Sequence, residues 1–457
     1  MEVTGSTKSD GQALLPKRDA KESIRKKCII SAMVISNFIA WTSLSLMDPF
    51  FPIEAKKKGL GETLIGLIYS SSELVIFLVS PLFGILISTA SPRFFYITGI
   101  LIIGSTTILF GTLDMSSPGL PFIVTCFAVR MIEATGVSSL ISSSFLIASQ
   151  NYPDNIGSIY GIFETAVGLG FMAGPAIGGG LYQLGGFGLP FWVLGGCTFA
   201  CGVVSWILLP SKHYGQECSD SECPSRWTIF RSPWVLFGSF VTICAYTAAL
   251  MWMPVLSLHL KEFDLSQVVI GLLYTITPGM YAITTPLWGY LIDWKVPPTF
   301  LIIVGLILTS ICSLLFGPAP FLPFVPHGMV TIIVALVLMG LCLAPVIVSS
   351  IKCLVEGAGS LGFDVKGANF GIVGGVVQSS VCLGTLLGPL FGGLLTERFG
   401  FAWMMVAAAI IALFPLIFGG PFLLYAASDR CKSTDDKKKY DKLNGVINNN
   451  IAMTTYQ

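Results

Sequence analysis

Apolar runs of membrane-crossing length recur along almost the whole chain, separated by short polar breaks. Twelve such spans are predicted, at about 28–52, 63–88, 94–113, 119–147, 156–183, 188–210, 233–258, 267–292, 298–317, 329–355, 368–396 and 400–427. Each is long enough to cross a hydrocarbon layer of about 30 Å. Residues 1–27 and 428–457 are polar tails, and 211–232 is a polar linker. The expected fold is therefore an all-α membrane protein with two six-helix halves, 28–210 and 233–427.

The two halves repeat one another. LIGLIYS at Leu64–Ser70 returns as VIGLLYT at Val269–Thr275, PLFG at Pro81–Gly84 as PLWG at Pro286–Gly289, and Pro49 as Pro254, all at an offset of 205. A glycine-rich string returns at 214. It contains Gly170, Gly174, Pro175, Gly178 and Gly179 in the first half, and Gly384, Gly388, Pro389, Gly392 and Gly393 in the second. An insertion between spans 9 and 10 fits the larger offset. So many glycines weaken a soluble helix, but in lipid small residues let helix backbones approach closely. Gly174 and Pro175 are expected at a contact between span 5 and span 8 of the other half.

Composition agrees with the pattern: 53% of residues are hydrophobic and 11% charged, where soluble domains run at about 25% charged. The net charge of +1 gives no reason to expect a nucleic-acid partner. Neither a secretory signal peptide nor a metal, nucleophile or phosphate-loop constellation is read in the chain, so no cofactor and no enzyme are expected. With both tails and the even-numbered loops in the cytosol, 20 Lys/Arg lie on that side and 5 on the other. Lys56, Lys57 and Lys58 in the first loop run against this orientation. The cysteines are expected to be free thiols, Cys218 and Cys223 in the linker included.

Ionisable groups at bilayer depth cost about 2.5–3.5 kcal/mol each on insertion scales, so each asks for a reason. Asp48, Glu73, Arg130, Glu133 and Glu164 all fall in the first half, four acids against one base. An acidic half facing a neutral one favours a cation, and carboxylates there are placed to exchange protons. Arg130 and Glu133 share a helix face. They are either an internal ion pair or a pair that a proton or substrate cation opens. Glu164 has no basic residue near it in sequence. Tyr246, Trp252, Tyr274 and Tyr281 offer ring faces for a cation, or serve packing. Gln378 stands at the repeat position of Glu164.

The layout resembles the major facilitator superfamily. The string in span 5 is similar to that family's antiporter motif. The loop after span 2, GILISTASPR, keeps Gly84, Leu86 and Arg93 of the family pattern, with Ser88 in place of Asp; the second copy, GYLIDWKVPP, keeps Gly289, Leu291 and Asp293. The span 4 pattern reads Arg130-Met-Ile-Glu133-Ala134, with Glu where Gln is usual. PFFPIEAKKKG at Pro49–Gly59 and GSIYGIFETAVGLG at Gly157–Gly170 are similar to the vesicular amine transporters, most of all their polyamine-transporting branch. The span 1 Asp of monoamine carriers has no match. The resemblance implies proton-coupled antiport of a small organic cation, a polyamine or related amine, by a monomer embedded in the bilayer. A plasma-membrane drug-efflux pump, or a receptor or scaffold that moves nothing, are the other readings. By pseudo-symmetry Asp293 is expected near the N-terminus of span 5.

Two tail strings, Asp10–Leu15 and Tyr440–Leu443, resemble sorting signals read by adaptors. They point to a vesicular, endosomal or lysosomal membrane, with the plasma membrane as the alternative.

Overall fold

A computed structural model describes residues 15–89, 91–151, 156–209, 226–294, 296–317, 328–361 and 370–419, with single positions between 319 and 326. Twelve helices among them are long and apolar enough to cross a membrane: α1 (Lys27–Lys57), α2 (Glu62–Phe83), α3 (Pro92–Met115), α4 (Leu120–Ala148), α5 (Gly161–Gly185), α6 (Gly188–Leu208), α7 (Pro233–Leu250), α8 (Gln267–Ile292), α9 (Pro298–Phe316), α10 (Met329–Gly359), α11 (Val373–Phe399) and α12 (Phe401–Gly419). The spans predicted from hydropathy are all present. Large apolar side chains such as Leu78, Ile207 and Ile283 face outward, as a lipid-embedded surface requires. Among the described helices, α1 begins and α12 ends on the same side, the tail side; the opposite face is the far side.

Two predicted spans are broken at corresponding places. α1 turns at Ser45 and Leu46 and resumes as Met47–Lys57. α7 unwinds over 251–255 before a short helix, Leu256–His259. Backbone groups freed inside a membrane need partners. Tyr69 Oη donates to the Met47 carbonyl at 3.1 Å, and the Asp48 carbonyl lies 3.3 Å from it. Tyr274, 205 residues on, donates to the Met253 carbonyl at 2.9 Å and accepts from the Ser257 amide at 3.0 Å. Each break thus has its own buried tyrosine.

The extra residues of the second half are shared between two connections rather than lying in one. The α9–α10 connection is longer than the α3–α4 connection, and 360–369 join α10 to α11 where 152–155 separate the helices of α4 and α5.

The repeated glycine string has two working faces. Gly170, Gly174 and Gly178 lie against α1, where an added Cβ would meet Phe38, Thr42, Ser45 or Leu46. Pro175 and Gly179 face α8 of the other half, at Gly271 and Gln267. In the second half Gly384, Gly388 and Gly392 lie against α7, and Pro389 and Gly393 against Gly66 and Glu62 of α2. Gly174 therefore packs within its own half, and of the expected pair Pro175 alone meets α8. The one-residue step between the two stripes turns by a hundred degrees on a helix, which is enough to serve two neighbours.

The far side is also closed by an exchange of apolar anchors. Ile53 is buried in the second-half core with Met251, Trp252 and Leu256, while Leu258, its repeat counterpart, packs on the first-half core around Phe50 and Phe51. Toward the tail side the halves part. Along α5 and α8 the approach loosens from Pro175 to Gly168, whose added Cβ would find only Ala282 at 4.0 Å, and Gly161 and Gly289 have open space. Gly374 and Gly375 on α11 are open likewise.

Candidate functional site

The buried charges of the first half gather around one guanidinium. Arg130, on α4, donates to the Glu133 carboxylate one turn on and to Ser72 Oγ of α2 at 2.8 Å. Thr107 of α3 donates to Glu133 at 3.5 Å. Asp48 on α1 and Glu73 on α2 both lie within electrostatic reach of Arg130. Three carboxylates therefore share one cation. Asp48 is 7% exposed and Glu133 5%, so a net negative charge here would cost heavily unless a proton or another cation joins the cluster. The ion-pair reading of Arg130 and Glu133 is the arrangement present.

Glu73 also crosses the interface between the halves. Its carboxylate accepts from Thr385 Oγ1 of α11 at 2.9 Å. The same hydroxyl lies 3.1 Å from the carbonyls of Val381 and Cys382, so its single proton has three acceptors to choose from.

Glu164 stands apart from that cluster. It is exposed, on the part of α5 where the halves diverge. Across the opening, Tyr281 of α8 feels its charge, and Tyr281 is hydrogen-bonded to Tyr246 of α7. An acid from one half thus acts on a tyrosine of the other, which has a second aromatic hydroxyl beside it, a setting that suits an organic cation.

The other sequence candidates are placed differently. Trp252 and Tyr274 are buried in the second-half core with ring centroids 5.6 Å apart, and Trp252 lies 5.7 Å from Phe316; their rings serve packing. Gln378 is half-buried and donates to Cys382 Sγ of its own helix at 3.4 Å. Asp293 ends the α8 helix, and its side chain lies outside the described part, so the expected contact with α5 is not placed. The tail strings and the Cys218 and Cys223 positions lie outside the described residues too. Cys312 and Cys342 touch at 3.9 Å between α9 and α10 as free thiols.

The three loop lysines have local partners. Lys57 pairs with Glu54 at 3.0 Å, Lys56 with Glu62 at 3.3 Å, and Lys58 donates to the carbonyls of Asp114 and Ser116. Their charge is tied to the ends of α1, α2 and α3.

Sequence reasoning missed Ser72, Thr107 and Thr385, which carry no motif of their own. Tyr274 was named only as a ring face, and Tyr69, its repeat counterpart, was within reach because it lies inside the string that revealed the repeat.

Comparison with known proteins fits this architecture. Residues 33–374 match the Major Facilitator Superfamily. The chain belongs to that superfamily. It is 34% identical over 384 residues to the mouse MFS-type transporter SLC18B1, covering 83% of this chain and 82% of that protein. It is 24% identical over 386 residues to the human synaptic vesicular amine transporter, covering 82% and 70%. A bacterial homologue of the human lysosomal transporter Spinster, in an inward-facing and unoccupied conformation, superposes with a TM-score of 0.70 at 14% identity, over 86% of this chain and 96% of that one. This member of the superfamily is a multi-pass membrane transporter and not an enzyme.

Proposed function

We propose that the chain is a proton-coupled antiporter that moves a small organic cation, a polyamine or related amine, into an acidic compartment by alternating access, with both tails cytosolic. The observation that carries the reading is the placement of Glu164. It is an accessible carboxylate on the diverging stretch of α5, within electrostatic reach of Tyr281 of the other half, which is bonded to Tyr246. The excess of acids around Arg130 supports it further, because that cluster reaches neutrality only by taking up protons or a cation.

In the cycle, deprotonated Glu164 holds an ammonium group from the cytosolic side. After the halves rock, the acidic side supplies a proton. The neutral carboxyl then releases the amine, and the proton leaves on the return stroke. The charge must switch for this to work. The relative named as a synaptic vesicular amine transporter supports an amine cargo and a vesicular membrane.

The test is uptake by reconstituted vesicles with an imposed pH gradient, screened across amines, sugars and carboxylates. Gradient-driven accumulation of a polyamine is the expected result. Accumulation of sugars or carboxylates alone would overturn the cargo, and amine binding without counterflow would indicate a receptor.

A further inference from the structure

The halves meet on the far side along two seams that share a backbone crossing but differ in side-chain chemistry. In α5–α8 the Pro175 carbonyl lies against Gly271, and Gly179 lies against the Gln267 carbonyl. In α2–α11 the Pro389 carbonyl meets Gly66, and Gly393 meets the Glu62 carbonyl. The second seam adds three side-chain bonds. Ser70 Oγ donates to the Leu386 carbonyl at 2.7 Å, Thr385 donates to Glu73 at 2.9 Å, and the Thr63 amide donates to the Glu397 carboxylate at 2.7 Å. The repeat puts Thr275 and Pro278 where Ser70 and Glu73 stand, and Gln183 where Glu397 stands. Thr275 gives its proton to Leu272 of its own helix, and Pro278 has no polar side chain.

Thr63 is in the first turn of the helix that begins at Glu62, where an amide has no acceptor within the helix. Its partner is a carboxylate from the last turn of α11, in the other half. A negative group there also complements the positive end of the helix. Gly61 leaves room for it: an added Cβ would stand 2.8 and 2.9 Å from the two carboxylate oxygens. Lys56 and Arg398 are the cations that act on Glu397, and Glu62 lies beside it, held by Lys56 at 3.3 Å. Glu397 itself is exposed.

We propose that Glu397 is a positioning residue of the transport cycle: it latches α11 onto the N-terminus of α2 while the far side is closed, and proton uptake from the far side loosens that latch. An ionised carboxylate accepts from an amide about twice as strongly as a neutral group. The bond bridges the halves, so it must break before the far side opens. The latch is full when Glu397 is charged. The Thr63 amide holds the Glu397 carboxyl below the ordinary range for glutamate, about 4–5, so the latch weakens only as the far-side pH falls beneath that range. Protonation thereby favours the far-side-open state, and the charged latch holds that side closed at milder pH.

Hydrogen–deuterium exchange of segment 60–66 reads the latch directly and needs no substrate, so it stands even if the cargo assigned above is wrong. The full chain in nanodiscs is compared at about pH 7.5 and about pH 3.5, the latter below the ordinary glutamate range, each corrected for intrinsic exchange. In the native protein the segment is expected to lose protection several-fold at the lower pH. Glu397→Gln and Gly61→Ala should both be several-fold less protected at the higher pH and change little with pH, and Glu62→Gln should behave as the native chain does. Gly61→Ala displaces the carboxylate without removing it, so it serves if Glu397→Gln does not fold. In vesicles, Glu397→Gln should lose the far-side part of the pH profile and keep the tail-side part. Native-like protection and pH response in both latch variants would overturn the proposal, as would loss of the response in Glu62→Gln alone.

Discussion

Gly271→Ala should act on one conformation of the transporter and not on its folding. A Cβ at Gly271 would stand 3.1 Å from the Pro175 carbonyl carbon, closer still to its oxygen, and 3.5 Å from Gly179 Cα. These are backbone atoms, so no side chain can swing aside. α5 and α8 would have to part by about 1 Å, an overpacking strain of about 1–3 kcal/mol. The strain exists only where the far side is closed. The equilibrium between the two states should shift toward far-side-open by roughly 5- to 150-fold. Exchange protection of segment 267–275 should fall by that factor, and net flux should drop because the closed state becomes scarce. The thermal midpoint should move little. Gly174→Leu is the contrast: its clash is with Thr42 and Ser45 of α1, inside one half, and is present in every conformation. That variant should lose thermal stability. Native protection of 267–275 together with native flux in Gly271→Ala would refute this account of the seam.

Glu164→Gln should abolish uptake driven by a pH gradient, since an amide cannot switch charge; retained gradient-independent exchange of labelled polyamine would make Glu164 the proton carrier alone, and native gradient-driven uptake would remove it from coupling. Arg130→Met leaves Glu133 buried without its partner and should cost about 3–5 kcal/mol in unfolding stability, whereas Arg130→Met with Glu133→Leu should recover most of that stability without transport. Equal stability of the single and double variants would sink the shared-cation picture. Tyr69→Phe and Tyr274→Phe each leave groups of a helix break without their hydroxyl partner. Each should lower stability by about 1–3 kcal/mol, read as a fall in thermal midpoint in detergent.

The hydropathy of the chain already determines how many helices it forms and where they lie, because each span must satisfy its backbone within itself once lipid surrounds it. The repeat was also readable, from strings such as LIGLIYS and VIGLLYT, and with it the pairing of the halves. An acid excess in the first half follows from residue identity alone. Three things did not. The glycine string has two faces, and which face meets α1 and which meets α8 depends on how the halves dock. Trp252 and Tyr281 both read as ring faces for a cation; packing placed the first in the core and the second within electrostatic reach of Glu164. Thr385 reaches Glu73 and Glu397 reaches Thr63 across more than three hundred residues of chain. Local pattern carries no trace of such bonds. Each depends on the relative position of two helices, which is the sum of every contact between the halves, and only the assembled tertiary structure specifies that sum.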